Sequence, residues 1–405
     1  MYDLAVLEAW AEFAVRWLHV ITGIAWIGSS FFFIALDLGL RKAEGMPKLA
    51  HGEEWQVHGG GFYHMTKYLV APERLPDHLT WHKWESYFTW ISGFVLLVLV
   101  YYLGAELYLV DPNVADIPVW GAVLISLGSL GFGWMAYDLL CKSKFGENNT
   151  RLMVLLFVLL VIMAWGYTQV FTGRAALLHL GAFTATIMSG NVFFIIIRNQ
   201  KIVVEDLKAG RVPDAKYGKI AKQRSTHNNY LTLPVLFLML SNHYPLAFAS
   251  EYNWLIAGLV FLMGVSIRHY FNTKHMGHEP PLWTWAITVT LFMAAVWLSV
   301  LGTPETDGGA QLSPGAVRFA EADGFEDVHN IVLGRCSMCH AKEPSWDGIY
   351  WPPKGVVLES EADLATQAKA VYLQSGLSHA MPPANLSYME PQERAAIVAW
   401  YRAAR

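Results

Sequence analysis

Eight apolar stretches, each close to the length that crosses a bilayer, take up most of the first three hundred residues: 13–38, 87–103, 118–140, 152–171, 177–197, 230–248, 254–270 and 282–301. In hydrocarbon every backbone N–H and C=O must be paired within the protein, so continuous apolar runs of about twenty residues fold as helices. The runs lack the strict alternation that barrel strands show, which excludes a transmembrane barrel. The second run is short and the sixth carries Pro234, so seven spans is the alternative count. Hydrophobic residues make up 54% of the whole chain even though its last ninety residues read as water-soluble, which makes the first part richer still. The fold class is therefore all-α: a polytopic helical domain of about eight spans followed by a small separate domain.

Basic residues set the orientation, because Lys and Arg accumulate in loops on the cytoplasmic side. The loop after the fifth run holds Lys201, Lys208, Arg211, Lys216, Lys219, Lys222 and Arg224, whereas 104–117 holds three acids and no Lys or Arg. Arg41, Lys42, Lys48, Lys67 and Arg74 after the first run, and Lys142 and Lys144 after the third, fit the same assignment. Segment 1–12 carries acids and no base, so the N-terminus is expected outside, and eight spans return the C-terminus to the same side. The acidic start and long first run argue against a cleaved signal peptide. A net charge of -4 says little where charges are segregated by side, and nothing suggests a nucleic-acid partner. The basic fifth loop reads first as a topology determinant, with docking of anionic membrane lipid or a soluble partner as the alternative.

The C-terminal part carries Cys336-Ser337-Met338-Cys339-His340, the Cys-x-x-Cys-His signature of covalent c-type haem attachment. Two thiols at this spacing add to the two vinyl groups of one porphyrin, and the adjacent His becomes an axial ligand of the iron. A zinc half-site is the competing reading, and it lacks a second Cys pair, since Cys141 lies far upstream. Met381, in Ala380-Met381-Pro382-Pro383, is the expected sixth ligand, with Met389 and His379 as rivals. Helical spacing over 392–404 puts Ile397, Trp400 and Tyr401 on one side, as in the closing helix of a small cytochrome c. The expected organisation is a membrane domain over 1–304, a linker over 305–314 and a cytochrome c domain over 315–405. Haem attachment takes place on the outer face, in agreement with eight spans.

Ionisable residues inside apolar runs are costly and usually functional. His19 and His179 each lie near the outer end of a run, and ten residues after each comes a small-residue stretch leading into Phe. This weak internal repeat makes His19 with His179 a candidate pair for a b-type haem, and His82 with His227 a weaker one. Packing histidines held by hydrogen bonds are the plainer reading. On the inner side, His51, His58, three glycines, His64, Lys67, His78, His82 and Glu85 cluster in one loop. Arg224, His227, Asn228 and Asn229, then Arg268, His269, His275 and His278, mark other inner ends. Such donors suit a planar anion, which Arg binds through two parallel hydrogen bonds. His275 and His278 lack an identifiable third partner for a metal site.

Four segments together carry a family resemblance: Trp55-Gln56-Val57-His58-Gly59-Gly60-Gly61-Phe62-Tyr63; the 79–93 segment with Trp81, Lys83-Trp84-Glu85 and Thr89-Trp90; the 225–234 segment with His227-Asn228-Asn229-Tyr230; and the haem motif. The chain resembles the bacterial membrane-bound urate oxidase (urate hydroxylase) family. The resemblance implies oxidation of urate to 5-hydroxyisourate in purine degradation. Electrons would leave through the c-haem to a downstream cytochrome or a terminal cytochrome c oxidase, without formation of hydrogen peroxide. It also implies residence in the bacterial inner membrane, with the N-terminus and cytochrome domain on the periplasmic side. The expected urate contacts are His58, His64, Arg224 and Arg268. A core roughly 30 Å thick separates an inner substrate site from an outer haem, which is the motive for an intermediate b-haem. Two other readings stay open: a haem-bearing electron-transfer subunit fed by quinol or a partner, and a transporter or sensor with a fused redox module.

Overall fold

The computed structural model describes residues 4–69, 72, 75–301, 312–349 and 351–404. Every one of the eight apolar runs lies on a helix. These are α1 (Leu4–Gly39), α2 (Trp84–Tyr102), α3 (Val119–Lys142), α4 (Asn149–Thr168), α5 (Gly173–Lys208), α6 (Lys216–Ser241), α7 (Asn253–His275) and α8 (Trp283–Ser299). Six of the eight are long and apolar enough to cross a membrane. The other two fall short for different reasons: α8 has 17 residues, and α6 has 26 but opens on Lys216, Lys219, Lys222 and Arg224. Side-chain caps fix two of the starts, Asn148 accepting from the Arg151 N–H at 3.0 Å and Thr172 from the Ala175 N–H at 3.2 Å.

The most deeply buried of the long apolar helices is α5, whose Ala175, Leu177, Leu180, Phe183 and Ile187 sit in the core with Tyr137 of α3 and Leu156 and Leu160 of α4. Small residues let neighbours approach it closely, as is usual between apolar helices. A Cβ on Gly133 would run into the Phe183 ring, and one on Gly190 would come within 2.5 Å of Trp134. Facing outward instead are Trp10, Phe13, Trp17 and Ile24 of α1, Trp120, Phe132 and Met135 of α3, and Phe292, Met293 and Trp297 of α8. In water an apolar surface of that extent would aggregate; against lipid tails it is matched.

One element departs from the all-helical expectation. The first inner loop folds into an antiparallel hairpin of β1 (Ala50–His58) and β2 (Gly61–Tyr68), with Trp55 opposite His64 and His58 opposite Gly61. Gly59 and Gly60 form its two-residue turn, both at positive φ, +59° and +80°. This is the conformation in which a mirror-image turn matches strand twist and glycine has no steric cost. Gly59 and Gly60 thus serve the turn, and Gly61 opens the second strand. Arg74 of that loop lies outside the described residues, as does most of the 305–314 linker.

The C-terminal part is a second helical unit with its own core: α9 (Pro314–Ala320), α10 (Phe325–Arg335), α11 (Ser337–His340), α12 (Glu361–Thr366), α13 (Ala368–Val371) and α14 (Pro391–Ala403). Phe319, Val332, Tyr372, Ile397 and Trp400 are buried together. The Trp400 indole donates to the Phe319 carbonyl at 2.9 Å, and the Tyr372 and Tyr401 rings stack at 4.1 Å. Arg335 of α10 reaches Glu393 of α14 at 3.0 Å. This unit touches the end of the bundle where α1 begins. Ala5 is sealed against its core, Lys369 pairs with Glu8 at 3.1 Å, Gly315 abuts Glu106, and Gly355 abuts Pro245.

Candidate functional site

At the end of the bundle away from the C-terminal unit, α6 carries consecutive polar residues into the core. Arg224, only 2% exposed, donates to Asp138 of α3 at 2.7 Å and to Asn191 of α5 at 3.1 Å, and its guanidinium lies over the Tyr137 ring at 4.9 Å. The Asn191 amide donates in turn to the Tyr137 hydroxyl at 3.1 Å and to Asn228 at 2.9 Å, while Asn228 donates to the Met188 carbonyl at 2.9 Å. His227 meets the Tyr137 hydroxyl through Nδ1 at 2.8 Å. Asp138 also holds Lys142 at 2.5 Å, so the network reaches the surface through one exposed lysine. Asn191 opens a turn of wider π-helix, Asn191–Ile196, a local change of pitch that recurs at functional sites. Tyr137, Asp138 and Asn191 were not among the residues singled out from sequence. The available signal was Asp138, an acid inside an apolar run.

A second cluster lies on the α7 side of α6. Arg268 donates through Nε to Asn229 at 3.2 Å and through an Nη to Asn272 at 2.9 Å, and the Asn272 amide donates to Asn229 at 3.1 Å. The Arg268 guanidinium stacks on Phe31 of α1 at 4.2 Å. Arg224 and Arg268 thus lie at the same end of the bundle on α6 and α7, Arg224 held by a carboxylate and an amide and Arg268 by two amides. His58 and His64 ride on the exposed hairpin: His64 stacks on Trp55 at 4.2 Å and bonds Glu53 at 2.8 Å. Among the described residues no hydrogen bond or ion pair joins either histidine to Arg224 or Arg268.

The four histidines considered for a b-type haem have separate protein partners. His179 is fully buried, its Nδ1 donating to the Ala175 carbonyl at 2.7 Å and its Nε2 meeting Ser126 Oγ at 2.8 Å, with Phe171 4.6 Å away centroid to centroid. His19 of α1 is bonded through Nδ1 to the Thr89 carbonyl at 3.0 Å and Ser92 Oγ at 3.1 Å. His82 sits 3.4 Å from Glu85 and packs edge-on against Phe33, whereas His227 belongs to the Tyr137 network. Among the described residues, no three His, Cys, Asp or Glu side chains gather as a metal site, and His275 and His278 acquire no third partner.

In the C-terminal unit, Cys336 and His340 share one helical turn, the His340 N–H donating to the Cys336 carbonyl at 2.9 Å. No disulfide joins the two cysteines. Burial pushes the Cys336 thiol up to about 12 and raises Cys339 as well. The His340 ring donates through Nδ1 to the Val356 carbonyl at 2.8 Å, which fixes the tautomer and leaves Nε2 as the electron-pair donor. The Met381 backbone is held at both polar atoms: its N–H donates to Gln374 at 2.8 Å, and Arg394 donates to its carbonyl at 2.9 Å. Of its rivals, Met389 is 2% exposed within the hydrophobic core and His379 is exposed. A thiol pair, an oriented imidazole and an anchored Met loop suit a c-type haem.

An apolar-belted helical bundle with buried polar layers, carrying a small helical unit at one end, defines a multi-pass membrane-type protein. The model of the Urate oxidase N-terminal family matches residues 5–299, most of the chain and all eight apolar helices. The chain belongs to that family, which places it among oxidoreductases of urate. No curated protein and no solved structure matches it.

Proposed function

We propose that this protein is a membrane-bound urate oxidase that passes electrons from urate through a covalent c-type haem to the respiratory chain. The family match over 5–299 carries the reading, and the Cys-x-x-Cys-His unit follows directly after the matched segment. Urate plus water gives 5-hydroxyisourate, two protons and two electrons, so an electron acceptor replaces the dioxygen that would otherwise yield hydrogen peroxide. Cys336 and Cys339 would hold the haem, with His340 and Met381 as axial ligands; the group supplies a one-electron acceptor. Thioether sulfur raises its potential, which suits a donor as weak as urate.

Urate is a planar anion at neutral pH, and the inner end of the bundle offers the matching donors. Arg268, fixed by Asn229 and Asn272, and Arg224, fixed by Asp138 and Asn191, supply positive charge without needing to reorganise. His58 and His64 on the hairpin supply imidazoles as candidate proton acceptors. The positive-inside pattern supports a bacterial inner membrane with this end in the cytoplasm and the C-terminal unit in the periplasm. A soluble cytochrome or a terminal cytochrome c oxidase would then collect the electrons on the outer side. The test is an anaerobic visible spectrum of the detergent-purified chain during titration with urate, with a pyridine haemochrome to count haem b and haem c. Reduction of the c-type band by urate alone is the expected outcome. A band that responds to dithionite but not to urate would leave only an electron-transfer subunit.

A further inference from the structure

A cavity of about 550 Å³ lies between α4, α6 and α7 and takes no part in the urate reading. Its wall is apolar over most of its length: Met153, Leu156, Phe157, Leu160, Leu231 and Phe261. It runs along α4 from Asn149 to Leu160, about 16 Å at 1.5 Å per residue. Polar groups gather toward the Asn149 end, where Thr150, Thr226, Tyr230 and His269 also line it. The deepest of them is His227, 1% exposed, whose Nδ1 is committed to the Tyr137 hydroxyl. Its Nε2 is buried without a hydrogen-bond partner among the described residues. A buried polar atom left unpaired is costly, so a ligand that bonds it is favoured. The rim is formed by Val154, Leu262 and Val265, which are 57%, 39% and 38% exposed and face outward with the apolar belt.

We propose that this cavity binds a lipid-soluble quinone, with the ring at His227 and the isoprenoid tail along Leu156, Leu160 and Phe261. Three observations select that chemistry. Entry is through apolar, lipid-facing side chains, which excludes free urate. No Lys or Arg lines the slot, which disfavours a phospholipid headgroup. His227 on the wall, with Tyr230 and His269 at the same polar end of an otherwise apolar slot, suits a flat neutral ring that carries carbonyls. The proposal concerns binding and stands independently of urate oxidation.

The probe is decylubiquinone, titrated against the full-length detergent-purified protein by equilibrium dialysis, with n-decanol as competitor. Leu262→Trp and Val265→Trp fill the rim without touching the buried polar layer, and thermal melts verify that each variant is folded. Saturable one-to-one binding, a Kd raised at least tenfold in either folded variant, and no displacement by equimolar n-decanol are expected. An azido-quinone should label 149–160 or 226–231 in the unmodified protein, which serves as the readout if both variants fail to fold. Absence of saturable binding, an unchanged Kd in both variants, or equal displacement by n-decanol would overturn the proposal, the last by showing a slot for any acyl chain. Urate-driven haem reduction is recorded on the same samples, so failure of quinone binding and failure of the urate reading are told apart.

Discussion

Asp138→Asn isolates what the buried Arg224 contributes to the bundle. Arg224 is 2% exposed and its ionic partner is Asp138 at 2.7 Å; after the substitution the guanidinium has only neutral partners, amide oxygens and the Tyr137 ring, and its charge is uncompensated. Removing one member of a buried ion pair costs about 3–5 kcal/mol, because the other charge stays out of water without compensation. The Asp138 side chain retains 15% exposure, so the lower end applies, about 3 kcal/mol. For a chain of this size that corresponds to a loss of roughly 5 °C in thermal midpoint. The assay is unfolding of the detergent-purified protein followed by tryptophan fluorescence. Lys142→Ala removes the other ion pair to the same carboxylate, but its lysine is 63% exposed, so the cost is about 0–1 kcal/mol. In the double variant Asp138→Asn with Arg224→Leu, much of the lost stability returns because no unpaired charge remains. Equal midpoints for Asp138→Asn and Lys142→Ala, or a double variant worse than the sum of its parts, would refute the reasoning.

Replacing both Cys336 and Cys339 by Ser abolishes haem staining on a denaturing gel while the membrane bundle still purifies, since the thiols lie only in the C-terminal unit. Met381→Leu removes the thioether and lowers the haem midpoint potential in a redox titration, whereas Met389→Leu, a near-isosteric change in the core, leaves the potential in place and costs under about 1.5 kcal/mol. Alkylation of haem-free protein at pH 8 labels Cys339 before Cys336, because the Cys336 thiol is buried and pushed up to about 12 and so has almost no thiolate at that pH; peptide mass spectrometry reads the order. Gly133→Ala drives a methyl into the buried Phe183 ring and destabilises by about 1–3 kcal/mol in thermal melts, while Gly128→Ala, which meets nothing within 4 Å, is neutral or mildly stabilising.

Bilayer-length apolar runs were readable because hydrocarbon imposes a length and a helical conformation without reference to the rest of the fold. The Cys-x-x-Cys-His pentapeptide was equally visible, since the expectation that it carries rests on residues adjacent or three apart in the chain. The hairpin was missed although Gly59-Gly60, flanked by Glu-Trp-Gln-Val-His and Phe-Tyr-His-Met, carries a two-residue turn signal. Basic and glycine residues drew the reading toward an anion loop. Partners distant in sequence were beyond reach: nothing local to Arg224 says that it meets Asp138, 86 positions earlier. The repeat that linked His19 with His179 reflected similar small-residue stretches, and each histidine has a different hydrogen-bond environment. The π-helical turn at Asn191 was also illegible, because a single extra residue per turn leaves hydropathy unchanged.

Helix α1 has 36 residues and measures about 54 Å, against an apolar core of roughly 30 Å. Its first turns meet the C-terminal unit through Ala5 and Glu8, and its last turns meet the hairpin, where Asp37 pairs with Lys67 and Gly39 abuts Glu54. One stiff rod therefore joins the unit with the Cys-x-x-Cys-His motif to the ribbon that carries His58 and His64. Tilting such a rod by 5° about its midpoint displaces each end by about 2 Å in opposite directions. A rigid connection of this length gives two distant regions of the fold a common orientation, so neither can rotate without the other.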